Sequence, residues 1–414
     1  MLRFTNYFDT KTLDPFILEK GFEAVRYEAT SGSVGYYHLP KNSQPLVDEL
    51  QDLYHQIERR FNTIAIIGIG GSSLGIKAID RLLRPSTPNA KKMVYLENSD
   101  PVAVMQGIKQ IDKFRTLFIV ISKSGGTVET MSIFKYIIHT FELTLDCSDQ
   151  ILVVSDEDSI LSHFADEHHL RRFVIPANVG GRFSILSAVG IVPLTLAGFD
   201  TKSILRGGEG FLERFWRREE EHTIQKAAYY VSHREHYPMN VLFGYSDSFE
   251  EFGKWVVQLW GESLGKRNRR GERVGLTPIS LIGSVDQHSF LQLIVEGPLD
   301  KTVTFMHIEH SEEHLMIPEL SLSHLEKTDF VNGHCFNELI NAQCEATLQS
   351  VLKSGVVSVD EIVWKAIDEV SVGELILYFE VLTSLSGALL EINTYNQPGV
   401  EIGKEILAAY FHKG

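Results

Sequence analysis

The sequence predicts an α/β protein built from two successive, mainly parallel sheets flanked by helices. Short runs rich in Val and Ile alternate with longer amphipathic stretches, which is typical of parallel strands connected by helices. The series resumes in the second half of the chain, which indicates a second sheet. The 414 residues suffice for two or three domains, and 43% of them are apolar, so a large core can form.

The first predicted sheet lies in the N-terminal half. Its strands are predicted at 63–68, 93–96, 116–121, 150–155 and, from a weaker pattern, 172–175. Helices are predicted at 74–83, 128–141 and 186–196. Strands that alternate with helices in this way favour a sheet covered on both faces.

The second predicted sheet has strands at 240–243, 278–282 and 303–308, with helices at 249–264, 289–295, 336–352 and 374–390. No linker rich in Ser or Pro separates the halves, so we expect them to pack closely. The expected organisation is an irregular N-terminal segment (1–45), two domains (46–198 and 199–395) and a C-terminal segment (396–414) with a helix at 400–411. Pro398 suits the start of that helix.

Composition excludes several classes of protein. The formal net charge of −15 argues against nucleic acid or an anionic membrane surface as the main partner. The three cysteines have no metal-ligand spacing and favour a reducing cytoplasm. Residues 1–9 lack the apolar core of a signal peptide, and the longest nearly apolar run, 185–198, is shorter than the roughly 20 residues that span a bilayer. We therefore expect neither secretion nor a membrane segment.

The first predicted strand runs into a glycine-rich turn, GIGGSSLG at 68–75. Ser73 stands where the dinucleotide fingerprint needs glycine, and Ile76 stands where the Walker motif needs lysine. The remaining pattern favours a general anion cradle that includes Gly71 and Ser72, because backbone N–H groups and hydroxyls meet at a helix N-terminus. An ordinary tight turn is the alternative.

The third predicted strand ends in a similar turn, SKSGGT at 122–127. Ser122, Lys123, Ser124 and Thr127 supply hydroxyl and ammonium donors suited to phosphate oxygens. The alternative is an ordinary N-cap by Thr127 or Ser124. Both turns follow strands of one sheet, where open α/β sheets bind ligands, so we predict an anion site there.

A candidate general base lies in the second half. Gln258 and Glu262 share one face of the predicted helix 249–264 with Trp255. The helix dipole disfavours a negative charge in the last turn of a helix. A carboxylate at position 262 therefore points to a functional role, such as that of a general base. The alternative is a solvated pair between Glu262 and Lys266.

Other polar residues carry weaker signals. His288 lies where a strand passes into a helix and is a candidate acid or base, or a helix cap. Lys404 is a candidate cation, or the partner of Glu401 on an exposed helix. The basic stretch 266–270 is interpreted as a solvated loop, with attraction of an anionic substrate as the alternative. The histidines near 307–314 lack the zincin pattern, and no metal is predicted.

Six segments together resemble the phosphoglucose isomerase family, in the family's order, over residues 62–405. They are 68–75, 122–130, 180–184, 258–266, 287–289 and 397–404. The glycine and serine turns alone would suit any sugar isomerase (SIS) domain, whereas the last three segments together are highly specific. The resemblance implies two SIS domains with flavodoxin-like sheets in a cytoplasmic homodimer that needs no cofactor or metal.

The resemblance also implies an activity, the interconversion of glucose 6-phosphate and fructose 6-phosphate through an enediolate, a step of glycolysis and gluconeogenesis. By this correspondence Glu262 moves the proton between C2 and C1, and Arg182 stabilises the enediolate. His288, contributed across the dimer interface, and Lys404 open the sugar ring. The residues expected to hold the substrate are Gly71, Ser72, Ser122, Lys123, Ser124, Thr127, Gln258 and Gln397.

The sequence departs from many family members at two places. Ser124-Gly125-Gly126 replaces Thr-Phe-Thr, and Pro398 replaces Trp, as in shorter bacterial members. Two alternative functions stay open at this point. One is a dual phosphoglucose and phosphomannose isomerase. The other is a non-catalytic SIS sensor of phosphosugars, which would have no use for Glu262, His288 and Lys404 together.

Overall fold

The computed structural model describes residues 2–311 and 313–411 of the chain. Its strands are β1 (Leu2–Asn6), β2 (Thr63–Ile67), β3 (Lys92–Leu96), β4 (Thr116–Ile121), β5 (Ile151–Asp156), β6 (Arg171–Ile175), β7 (Met239–Gly244), β8 (Lys266–Arg267), β9 (Arg273–Val274), β10 (Thr277–Ile282), β11 (Lys301–Ile308) and β12 (Val359–Trp364). Residue 1 of the expected N-terminal segment and residues 412–414 of the C-terminal segment lie outside the described residues.

The helices cover most of the intervening chain. They are α1 (Pro15–Ser31), α2 (Leu39–Asn42), α3 (Gln44–Ile57), α4 (Leu74–Leu83), α5 (Pro101–Ile108), α6 (Val128–Phe141), α7 (Ile160–Glu167), α8 (Ala188–Ala197), α9 (Thr201–Trp216), α10 (Glu221–Ser232), α11 (Glu250–Leu264), α12 (Leu291–Val295), α13 (Phe336–Lys353), α14 (Glu369–Leu389) and α15 (Glu401–Phe411).

The first sheet is entirely parallel and has the strand order β3-β2-β4-β5-β6. This is the flavodoxin-like order 2-1-3-4-5, in which the chain changes direction between the first and third strands. All residues of β2 and β4 are buried, which explains their continuous apolar sequences. The predicted strands of this sheet are confirmed, and the glycine-rich turns follow β2 and β4 at its carboxyl edge.

The second sheet has the order β1-β12-β11-β7-β10. Strands β7, β10, β11 and β12 are parallel and repeat the order 2-1-3-4, whereas β1 lies antiparallel to β12 at the edge. The interpretation of residues 1–45 as irregular is therefore wrong. Leu2 pairs with Trp364, and the Phe4 ring packs 4.6 Å from that of Tyr378, so half-burial of the alternating β1 sequence stabilises it.

The long helix α14 forms the centre of the second half. By length and composition it could cross a membrane, but 89% of its most apolar 18-residue window is buried inside the protein. Helix α9 crosses it closely at glycines. A Cβ on Gly207 would lie 1.9 Å from Val370 O, and one on Gly373 would lie 1.9 Å from Ile204 O. The apolar composition of α14 thus reflects a core helix.

The basic stretch after α11 is solvated, as expected from the sequence, with Arg267, Arg269 and Arg270 exposed. Lys266–Arg267 pairs antiparallel with Arg273–Val274, which makes a short hairpin. Arg267 Nη1 donates to Gly271 O at 2.9 Å within that hairpin. Helix α11 also packs against α4 of the first half and contacts the turns at 70–72 and 181–183, so it reaches the carboxyl edge of the first sheet.

Candidate active site

The first glycine-rich turn packs directly onto the loop that carries Arg182. Gly70 has φ +61°, a conformation that favours glycine. A Cβ on Gly71 would lie 2.4 Å from Gly181 O, so only glycine permits this approach. Ser72 ends the turn and is half-buried. The turn therefore joins the end of β2 to the 180–184 segment.

The second turn presents hydroxyls and helix N–H groups together. Ser122 Oγ lies 3.1 Å from Thr127 Oγ1, and the N–H of Gly126 donates to Ser124 Oγ at 3.3 Å. Thr127 occupies the N-cap position of α6, but its side chain makes no capping hydrogen bond within the part of the chain that the structure describes. The first N–H groups of α6 are thus available to an anion, as the cradle interpretation requires.

The Lys123 ammonium faces the loop that follows β6. Its Nζ donates to Ala177 O at 3.0 Å and to Val179 O at 2.7 Å. These bonds tie the end of β4 to the segment just before Arg182. In this structure the lysine therefore connects the second turn to the Arg182 loop.

Arg182 is enclosed by the protein, with only 1% of its side chain exposed. Burial lowers the pKa of Arg182, and the nearby Glu262 carboxylate partly offsets that effect. All three guanidinium nitrogens donate hydrogen bonds. Nε donates to Ser263 Oγ at 2.7 Å, and Nη1 donates to Glu262 Oε2 at 3.3 Å and to Gln397 Oε1 at 3.2 Å. Nη2 donates to two backbone carbonyls, Asn396 O at 3.2 Å and Thr394 O. This cation is fixed from several sides.

Glu262 lies between Arg182 and Gln258. Its Oε1 accepts from Gln258 Nε2 at 3.4 Å, and 38% of its side chain is exposed. Gln258 Oε1 is buried and has no hydrogen-bond partner among the described residues. A Cβ on Gly70 would lie 3.0 Å from Gln258 Nε2, so the first glycine-rich turn adjoins this group. The carboxylate is held yet reachable by a ligand.

Lys266 does not form the ion pair with the Glu262 carboxylate that was the alternative interpretation of the sequence. Its Nζ donates instead to the backbone carbonyls of Glu262 and Ser263, the latter at 3.0 Å. Burial, and then the charge of Arg182, lower the pKa of Lys266 to about 8, while Glu262 acts in the opposite direction. Lys266 and Ser263 are site residues that sequence reasoning missed, although both lie inside the 258–266 segment.

His288 and Lys404 lie on exposed parts of the chain. No hydrogen bond or ion pair links either of them to Arg182 or Glu262 within residues 2–311 and 313–411. Lys404 Nζ pairs with Glu401 Oε1 at 2.8 Å, as the alternative interpretation of α15 expected. The described chain thus brings together Arg182, Gln258, Glu262 and Gln397 but not these two residues.

This arrangement combines a turn rich in hydroxyl and N–H donors with a carboxylate beside a fixed cation. A carboxylate can abstract a proton next to a carbonyl, and a cation stabilises the resulting enediolate. Two sheets of flavodoxin-like order with such a site define the class of phosphosugar isomerases.

The particular family follows from comparison with known sequences. The chain belongs to the phosphoglucose isomerase family, whose sequence model matches residues 54–413. It is 42% identical over 382 residues to a protein of Campylobacter jejuni named glucose-6-phosphate isomerase, covering 92% of each chain. The resemblance drawn from the six segments is thereby confirmed.

Solved structures are similar over nearly the whole chain. A hypothetical protein from Thermus thermophilus superposes with a TM-score of 0.90 and 31% identity, covering 99% of this chain and 100% of that one. A glucose-6-phosphate isomerase from Chlamydia trachomatis superposes with a TM-score of 0.83 and 21% identity, covering 99% and 88%. The second similarity supports the fold alone.

Proposed function

We propose that this chain catalyses the reversible isomerisation of glucose 6-phosphate and fructose 6-phosphate, a step of glycolysis and gluconeogenesis. Membership of the phosphoglucose isomerase family supports the reaction. The observation that carries the assignment of residues is the Arg182–Glu262 contact of 3.3 Å beside the glycine-rich turns.

The sugar phosphate is held by the two turns. Ser122, Ser124 and Thr127 donate hydroxyl hydrogen bonds to the phosphate, and the Ser72 hydroxyl, the Gly71 N–H and the N–H groups of the first turn of α6 add to them. Lys123 contributes positive charge at the same edge. Binding at the phosphate end orients C1 and C2 of the open-chain sugar toward Glu262.

Glu262 transfers one proton between neighbouring carbons. Its carboxylate takes the proton from C2 of the open aldose, the C–H electron pair forms the C1–C2 double bond, and the C1 carbonyl oxygen becomes negative. The proton of the C2 hydroxyl moves to the C1 oxygen, and return of the proton from Glu262 to C1, as the C2 carbonyl forms, gives the ketose. C1 is reduced as C2 is oxidised, so the exchange balances within the substrate. Arg182 stabilises the negative enediolate oxygen, and Gln258 and Gln397 position the hydroxyls.

Ring opening requires an acid and a base near the ring oxygen and the C1 hydroxyl. We assign this step to Lys404 and to His288 of the partner subunit, in a homodimer. Exposure of the whole of α15 supports the dimer, because its apolar side chains Ile402, Ile406, Tyr410 and Phe411 are 64–74% exposed in the single chain. The three free cysteines support the cytoplasm as its compartment.

A coupled assay tests the assignment. Purified protein is given glucose 6-phosphate and, in parallel, mannose 6-phosphate, each with and without EDTA, and fructose 6-phosphate is followed. We expect rapid conversion of glucose 6-phosphate that EDTA does not alter. Comparable conversion of mannose 6-phosphate would favour the dual isomerase. Saturable sugar-phosphate binding without turnover would favour the sensor and overturn the proposal.

A further inference from the structure

Two of the carbonyls that hold Arg182 flank a single tyrosine. Nη2 of Arg182 donates to Thr394 O and to Asn396 O, the second at 3.2 Å, and Tyr395 lies between them in the chain. Gln397 in the same segment accepts from Nη1 at 3.2 Å. The 394–397 segment therefore supplies three of the five acceptors that hold the guanidinium.

The Tyr395 side chain anchors this segment to α1 and α14. Its hydroxyl donates to the Glu28 carboxylate and lies 2.9 Å from Ser384 Oγ on α14. Burial raises the pKa of Tyr395 well above its usual range, so the hydroxyl stays protonated and keeps donating. Its ring also packs on the ring of Phe183, with 5.3 Å between the ring centroids. Phe183 directly follows Arg182 in the chain.

Glu28 completes the anchor from α1. Besides Tyr395 it accepts a hydrogen bond from Tyr37 Oη at 3.0 Å. Burial raises the pKa of Glu28, and the two tyrosine hydroxyls act in the opposite direction by stabilising its charged form. A half-buried carboxylate with two hydroxyl donors fixes the position of both donors.

We propose that Tyr395 and Glu28 are positioning residues for the isomerisation, which act by holding the 394–397 segment so that Arg182 stays beside Glu262. This inference rests on the proposed role of Arg182 in stabilising the enediolate. If the anchor is lost, the segment relaxes and the guanidinium shifts, while the phosphate cradle at 122–127 is unchanged. The loss then falls on kcat more than on KM, because the affected contact strengthens in the transition state.

The test compares two tyrosines that donate to the same carboxylate. Tyr395→Phe and Tyr37→Phe each remove one donor to Glu28, but only Tyr395 belongs to the Arg182 segment. We expect Tyr395→Phe to lower kcat about ten- to a hundredfold, with KM changed by less than about threefold. Tyr37→Phe should keep kcat within about twofold of wild type. Equal effects of the two variants, or wild-type kcat in Tyr395→Phe, would overturn the inference.

A double-variant cycle shows whether the effect passes through Arg182. In an Arg182→Lys background, Tyr395→Phe should lower kcat by less than about twofold, since the contact it maintains is already altered. Full additivity would contradict a positioning role. If Arg182→Lys alone keeps wild-type kcat, the role of Arg182 itself fails; if it lowers kcat but Tyr395→Phe does not, only the present inference fails.

A second variant covers the case in which Tyr395→Phe does not fold. Glu28→Gln keeps the length of the side chain and an acceptor oxygen but removes the charge that holds both hydroxyls. Circular dichroism and thermal unfolding establish that the variant is folded. Folded Glu28→Gln should show the same selective loss of kcat, and an unchanged kcat there would overturn the inference.

Discussion

Nη1 of Arg182 lies 3.3 Å from Oε2 of Glu262, in an ion pair whose two members differ sharply in exposure. The arginine side chain is 1% exposed and the glutamate side chain 38%. The cation is therefore fixed by the protein, whereas the carboxylate is partly open to solvent. An exposed base beside an immobile cation suits proton abstraction followed by stabilisation of the anion that results.

Replacing the proposed base should remove turnover without removing binding. Glu262→Gln keeps the shape of the side chain and its contact with Gln258, but an amide cannot take up the C2 proton. We expect kcat to fall by about 10²- to 10⁴-fold, while a sugar-phosphate analogue binds within about threefold of wild type. Glu250→Gln, in the exposed first turn of the same helix, is the matched control. Substantial activity in Glu262→Gln would exclude this residue as the base.

The guanidinium of Arg182 should matter more for kcat than for KM. Arg182→Lys keeps the charge but loses the planar fork that reaches Ser263, Gln397 and two backbone carbonyls. Because buried acceptors lose donors, the free energy of unfolding should also fall, by about 2–4 kcal/mol. Steady-state kinetics and urea unfolding measure the two effects. A change confined to KM would contradict the enediolate role.

The phosphate cradle offers a pair of threonines for comparison. Thr127 Oγ1 lies 3.1 Å from Ser122 Oγ in the cradle, whereas buried Thr130 Oγ1 has no hydrogen-bond partner in the described chain. Thr127→Val should raise KM about tenfold with little change in kcat, since phosphate binding is common to ground and transition states. Thr130→Val should leave both constants unchanged. If the two variants behave alike, the Thr127 hydroxyl does not bind phosphate.

Lys266 should make the rate depend on pH near 8. Burial lowers its pKa to about 8, so its charge is present below that pH and lost above it. The charge lies near Arg182 and adds to the positive field around the enediolate. Lys266→Met should therefore lower kcat roughly three- to tenfold at pH 7, and the ratio of wild-type to variant kcat should fall toward one above pH 8. Lys254→Met, in the preceding helix α11 and paired with Glu250, controls for general charge effects.

Both enzymes are to be measured across the alkaline range in which Lys266 loses its charge. A ratio of wild-type to Lys266→Met kcat that stays constant through this range would contradict the effect. The same fall of the ratio in the Lys254→Met control would also contradict it, because the change would then reflect overall charge. The comparison uses the ratio of the two kcat values because other titrating groups of the site contribute equally to both enzymes and cancel.

The sequence predicts the first sheet well because its central strands β2 and β4 are buried on both faces. A strand such as β4, TLFIVI, has no polar side to obscure it. Strand β1 is missed because its partner β12 lies near the other end of the chain, so the pairing exists only in the folded protein. Local pattern carries no information about such a partner.

The sequence predicts part of the candidate site, as it predicts part of the fold. Glu262 and Gln258 share a helix face, and the glycine-rich turns follow strands, so residue type and spacing point to them. The groups that fix Arg182 are different. Thr394 and Asn396 hold it through backbone carbonyls, which every residue has, and Ser263 is an ordinary helix residue in the sequence. Side-chain pattern therefore predicts the groups that act on a ligand better than the groups that hold them.

The last prediction concerns which subunit supplies the proposed ring-opening histidine. Glu262→Gln and His288→Asn are each expected to be nearly inactive, because every site of either homodimer lacks one group. If His288 of the partner subunit completes each site, a mixed dimer contains one site with both substitutions and one with neither. After the two variants are unfolded together and refolded in equal amounts, half of the dimers are mixed and about a quarter of wild-type activity should return. Refolding each variant alone is the control. A histidine that acts within its own chain would leave both sites of the mixed dimer defective, so the absence of recovery from mixed dimers isolated with two different tags would refute contribution across the interface.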